Sequence, residues 1–265
     1  MGPDVPNFRD AGGLASGSMP TGLVYRSSEL DALDHRGETA LVALGVRQVF
    51  DLRTEGERRA APDRLPDGTR LRPLDVMADM SENGASAIAA VFAHQADRSV
   101  VSALNASLSD GQARQMMVDA YIELVGLPSA RHGYRQMLLD MATDDGASVV
   151  HCTAGKDRTG WGIAVVQLLM GADIDHVEED YLASNEAWAD GYTQILRDFA
   201  QAGGDSDALG DILWVRPAYL QAALDTVDSI FGSLSAYISE GLGLSPQELA
   251  SLNARLAGQA TGSAN

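Results

Sequence analysis

The sequence predicts an α/β protein, read as one domain spanning residues 1–265, and three observations predict it. Apolar runs of strand length, VRQVFDL and ASVVHC, alternate with stretches of helical periodicity. Gly and Pro punctuate the boundaries between them. With 265 residues, 45% of them hydrophobic and spread along the whole length, the chain can bury a real core, which excludes disorder.

The elements follow in order. Residues 7–28 read as short extended pieces, NFRDAGG and LVYRSSEL, around a turn rich in Gly, Ser and Pro. From Asp34 to Leu44 the apolar spacing is helical, and Gly45 is a natural stop. VRQVFDL is a buried strand ending at Asp51; the arginine-rich RTEGERRAAPDRLPDGTRLR and a short strand to Leu74 come next. Residues 78–127 are less regular, but QARQMMVDAYIELV within them has a helical period. A helix over roughly 129–142 leads into ASVVHC, a strand of small and β-branched residues. RTGWGIAVVQLLMG is a buried helix stopped by Gly171, and helical patterns fill most of the remainder. In the last one, SPQELASLNARLAG, Ser245 caps, Pro246 takes the first turn and Glu248 completes a capping box. The tail at 260–265 is expected to fray.

Charge narrows the function. There are 37 acidic against 19 basic side chains, a formal charge of -18 and a pI near 4.4. This argues against nucleic acid as a partner and against resting on an anionic membrane. The longest apolar stretch, Trp161 to Gly171, is about half of what a bilayer crossing requires. No basic and apolar leader opens the chain, so a cytoplasmic protein without stable membrane insertion is expected. The five histidines are scattered and there is one cysteine, so neither a metal nor a cofactor is expected. The six arginines between Arg53 and Arg72 are interleaved with acids and read as a solvated face.

All basic residues but Lys156 are arginines, and the only cysteine, Cys152, lies four residues before that lysine. The segment is His151-Cys152-Thr153-Ala154-Gly155-Lys156-Asp157-Arg158-Thr159-Gly160, between an apolar strand and an apolar helix. A loop that curls from a strand into a helix N-terminus aims successive N–H groups at one point, and the helix dipole adds positive potential there. Gly155 allows the tight path, and Arg158 can grip two phosphate oxygens. Cys152 sits at the base of this field, which should favour its thiolate as a nucleophile.

HCTAGKDRTG resembles the signature of cysteine-dependent protein tyrosine phosphatases, in the GKDR form of the bacterial branch of mycobacterial protein tyrosine phosphatase B type. NFRDAGG, LVYRSSEL, VFDLRTEGE, EDYLASN and YLQAALDTVDSIFGSLSAYISEGLGLS extend the resemblance over nearly the whole chain. It implies a mostly parallel sheet flanked by helices, with a helical lid for which residues 78–127 are the candidate; a plain core helix is the open alternative for QARQMMVDAYIELV. It also implies hydrolysis of phosphotyrosine, with phosphoserine/threonine and phosphoinositides as further substrates. By the resemblance Cys152 attacks phosphorus, Arg158 holds the equatorial oxygens, and the amides of Thr153, Ala154, Gly155 and Lys156 complete the cradle. Thr159 follows, where its hydroxyl can reach the sulfur. Asp157 is the implied general acid, with Asp75 on a separate loop and Asp51 at a strand end as alternatives. Lys156 reads as a flexible cation at the pocket mouth, able to meet a second phosphate. The phosphoinositide phosphatases it resembles there often carry another lysine directly after the cysteine, where this chain has Thr153. His151 fixes the loop, and Arg9 and Asp10 brace it from below. Open alternatives are an inositol-phosphate or phosphoinositide phosphatase with little protein activity, and a phosphate-binding module without turnover. The oligomeric state stays open.

Overall fold

The computed structural model describes residues 2–80 and 98–258. At its centre is a five-stranded sheet in the order β1-β2-β5-β3-β4. The strands are β1 (Arg9–Asp10), β2 (Val24–Ser27), β3 (Val46–Asp51), β4 (Arg70–Pro73) and β5 (Ala147–His151). Only β1 and β2 pair antiparallel; the other three ladders are parallel, as the resemblance implied. β5 takes the centre because its five residues, four of them small or β-branched, are all buried, which suits a parallel strand covered on both faces. Side-chain alternation divides the core. Val49 and Val149 join Leu30 and Leu41 on one face, while Phe50 and Val150 join Trp161 and the larger cluster on the other.

The helices are α1 (His35–Ala43), α2 (Glu55–Ala60), α3 (Arg98–Leu108), α4 (Gln112–Gly126), α5 (Pro128–Thr143) and α6 (Arg158–Leu169). They continue with α7 (Ile174–Ala187), α8 (Ala189–Gln201), α9 (Ser206–Leu213), α10 (Pro217–Phe231) and α11 (Pro246–Leu256). α1 starts at Asp34, whose carboxylate accepts from the Gly37 N–H. α11 starts at Ser245 with both bonds of its capping box made. α6 is buried from Thr159 through Gln167, as a helix apolar on all sides should be, and Gly171 follows it at φ 80°.

Two expectations change. The arginine-rich stretch, to which the sequence pattern assigns no element before the short strand, contains a helix, α2. Arg53, taken there as part of a solvated face, is fully buried. Of the candidate lid at 78–127, residues 81–97 lie outside the described residues, as does the tail at 260–265. In the described part, α4 buries Ala113, Met117, Tyr121, Leu124 and Val125 on one face. Among the described residues no helix is long and apolar enough to cross a membrane.

The parallel registers set Ser27, Asp51 and His151 side by side at the carboxyl ends of β2, β3 and β5. In open α/β sheets this edge is where ligands bind.

Candidate active site

Cys152 directly follows β5, and after five intervening residues Arg158 opens α6. Gly155 turns the loop between them at φ 67°. A Cβ at this position would overlap the Ser27 carbonyl, because the loop is pressed against the end of β2. The outward carbonyls of the loop are all tied. His151 Nδ1 lies 3.1 Å from the Cys152 oxygen, and the Glu29 N–H donates to the Thr153 oxygen at 3.0 Å. Trp188 Nε1 donates to the Ala154 oxygen at 2.9 Å. Asn7 Nδ2 and Arg26 Nη2 each donate to the Gly155 oxygen at 2.8 Å. Anchoring the carbonyls outward leaves the amides inward; none of the backbone hydrogen bonds among the described residues is donated by an N–H of residues 153–157.

Arg158 is held by Glu57 of α2 in a bidentate pair, Nη1 to Oε2 at 2.7 Å and Nη2 to Oε1 at 2.8 Å. Thr153 Oγ1 donates to the same carboxylate at 2.6 Å. Burial works against the Glu57 charge, but Arg158 and Thr153 outweigh it and hold its carboxyl well below the usual range. Burial likewise opposes the Arg158 charge, and the neighbouring Cys152, Glu57 and Asp157 raise it above the ordinary arginine value. Glu57 is also the N3 residue of the Thr54 capping box, so the start of α2 and the aim of Arg158 are fixed by one carboxylate.

Asp157 accepts from Tyr121 Oη at 3.0 Å and meets Lys156 Nζ at 2.8 Å. Tyr121 and Tyr181 lie hydroxyl to hydroxyl at 2.7 Å; since Tyr121 gives its proton to Asp157, Tyr181 donates to Tyr121. Burial and the adjacent Asp157 push the Tyr121 phenol far up, which keeps it a donor. Lys156 is not a free cation at the mouth. It is 3% exposed, and its Nζ also donates to the Ile212 oxygen in α9 at 2.9 Å, so it ties the loop to that helix. Thr159 is fully buried, and its hydroxyl finds no hydrogen-bond partner among the described residues.

Of the two alternative acids, Asp51 is fully buried and accepts from Arg53 Nε and Nη2 at 2.9 and 2.8 Å, the strand-end anchor of β3. Asp75 accepts from the N–H groups of Glu55 and Met77, so it steadies the start of α2. His151, fully buried, is fixed from its other side by Asp63 at 3.1 Å. Burial would raise the Asp63 carboxyl, but His151 and Arg53 bring it below its ordinary value. Asp51, Asp63 and His151 come close enough for a cation to lie among them. The cation present is the Arg53 guanidinium, 2.8 Å from Asp51 and 2.9 Å from Asp63.

Arg9 braces the loop indirectly. It shares Asp180 with Arg26, at 2.7 and 2.8 Å, and Arg26 reaches the loop. Asp10 instead caps the turn after β1, accepting from the N–H groups of Gly12 and Gly22. Asn7, Arg26, Asp180 and Ser184 all lie in the segments that carry the resemblance, although the sequence reading gave them no roles. Glu57 closes another of those segments, VFDLRTEGE, while Asp63, Tyr121 and Trp188 lie outside them.

The family model described as the tyrosine phosphatase family matches residues 2–258. The triple specificity protein phosphatase PtpB of Mycobacterium tuberculosis is 31% identical over 90% of this chain and 92% of its own. A tyrosine-protein phosphatase of Nostoc commune is 27% identical over 92% of this chain and 76% of its own. With the matched span running through the sheet, the cysteine loop and every residue that anchors it, the chain belongs to the tyrosine phosphatase family.

Proposed function

We propose that the protein hydrolyses phosphotyrosine in polypeptides through a phosphocysteine intermediate, with a range that extends to phosphoserine/threonine and to phosphoinositides. The observation that carries this reading is the loop itself, whose carbonyls from Cys152 to Gly155 are all anchored outward around a buried cysteine. Such a cradle is built to receive the three equatorial oxygens of a transferring phosphoryl group before it arrives. Cys152 Sγ forms a bond to phosphorus as the ester P–O bond breaks, and Asp157 gives its proton to the departing oxygen. Water then attacks phosphorus, the S–P bond breaks, and Asp157 takes back a proton. Arg158 spans the equatorial oxygens throughout, and the unpaired Thr159 hydroxyl supplies a donor to the sulfur as it leaves. A relative named a triple specificity phosphatase supports the wider range. The internal position of Lys156 weakens the lipid part, because its ammonium is spent on Ile212 and Asp157.

Turnover of a phosphotyrosine peptide, a phosphoserine peptide and a soluble phosphoinositide tests the range, and the wild type should be fastest on the first. Cys152→Ser should bind these substrates without turning them over; residual turnover above about a thousandth of wild type would refute the nucleophile. Asp157→Asn should lose far more activity on phosphotyrosine than on p-nitrophenyl phosphate, whose leaving group needs no proton. If Asp75→Asn shows that pattern instead, the acid is Asp75.

A further inference from the structure

On the outer side of α9 lies a groove of about 610 Å3 that the chemistry above does not use. α4, α8 and α9 contribute Arg114, Arg197, Leu196 and Asp211 to it, with Trp214 and Arg216 from the segment after α9. Arg114 and Arg216 converge on a single carboxylate, Asp211, at 3.2 and 2.5 Å. Arg197 is exposed and makes no ion pair among the described residues. The lining therefore holds three arginines against two acids, Asp207 and Asp211, in a protein whose acids outnumber its bases by 37 to 19. Guanidinium forks in this arrangement suit carboxylates, while Leu196 and Trp214 offer an apolar wall. The volume has room for several side chains, well beyond a single small anion.

The groove is also wired to the catalytic loop. Trp214 packs edge-on against Tyr192 at 5.2 Å, Tyr192 stacks on Trp188 at 5.2 Å, and Trp188 holds the Ala154 oxygen. One residue after Asp211, the Ile212 oxygen holds Lys156. We infer that this groove docks an acidic segment of the phosphorylated polypeptide substrate, its carboxylates on Arg114, Arg197 and Arg216 and an apolar side chain against Trp214. The inference rests on the proposed phosphatase activity and names which polypeptides it favours. A bilayer is the poorer occupant: a charge of -18 opposes approach to an anionic surface as a whole, whereas a peptide presents its charges only to the groove.

The test compares phosphotyrosine peptides that carry Glu at successive positions on either side of the phosphotyrosine with the same peptides carrying Gln, using wild type and an Arg114→Ala/Arg197→Ala double variant. The Glu peptides should have a kcat/KM about three- to tenfold higher, expressed in KM, and the double variant should erase the difference. Turnover of p-nitrophenyl phosphate should be the same in both proteins. Equal kcat/KM for Glu and Gln peptides overturns the inference. So does a double variant that changes KM for a soluble phosphoinositide but not for peptides, which would make the groove a lipid site. Direct binding of a Glu-rich peptide without phosphotyrosine, read by fluorescence anisotropy, separates the two proposals. If wild type binds it and the double variant does not, the groove stands even where no substrate is turned over.

Discussion

At Gly155 a positive φ and a neighbouring carbonyl make the same demand, so the position tolerates no side chain. Gly155→Ala should cost at least about 2 kcal/mol of stability and most of the activity, read as a lowered Tm together with a lowered kcat. Glu57 makes a different prediction. Glu57→Gln keeps an acceptor for the cap of α2 but removes the charge that holds Arg158. A fall in kcat of about tenfold is expected together with a lowered Tm, since Arg158 would lose its buried counter-charge and would no longer be aimed before substrate arrives. Cys152, Gly155, Asp157 and Arg158 were legible because they sit within one local segment whose spacing is itself the signal. Glu57 was not, because its partner is 101 residues away and nothing in a one-dimensional pattern joins them. Lys156 misled for a related reason: its charge was visible, but the carbonyl of Ile212 that takes it up belongs to a distant helix.

Among the elements, α2 is the instructive omission. Thr54 and Glu57 have the S/T-x-x-E spacing of a capping box, the same signature that was read correctly at Ser245 and Glu248. The surrounding arginines and prolines masked it, and the helix is only six residues long. Thr54→Ala should therefore lose about 1 kcal/mol of stability and, unlike an ordinary cap, some kcat as well. α4 was legible as a helix, with lid and core both left open, since an amphipathic period looks alike in a cover and in a packed layer. In the fold it buries one face, with Tyr121 carried inward to Asp157. Elements are also stapled by carboxylates. Asp180 of α7 is buried, which alone would raise its carboxyl, yet Arg26 and Arg9 lower it; Asp63 is lowered by His151 and Arg53. For groups depressed in the folded state, the unfolded chain binds more protons on acidification. Their stabilisation should be complete above the ordinary carboxylate range near about pH 4 and drain away as the pH falls through the lower folded values. Urea midpoints measured from pH 7 downward should show this fall, and Asp180→Asn should flatten it.

For the molecule as a whole, the charge of -18 is an electrostatic load on the compact state. Raising salt from low to about 0.5 M should screen that repulsion and raise Tm by a few degrees. A fall instead would mean that the ion pairs, such as those of Asp180 and Arg53, outweigh it. The single lysine gives the molecule a further property. An acylating reagent that attacks side-chain amines finds only Lys156, and in the folded protein that amine is enclosed between Ile212 and Asp157. Its rate of acylation is therefore a clock for the parting of α9 from the catalytic loop. Mass spectrometry of the lysine adduct against time would time that motion in unlabelled, unmutated protein. An acidic peptide seated in the groove should slow the clock.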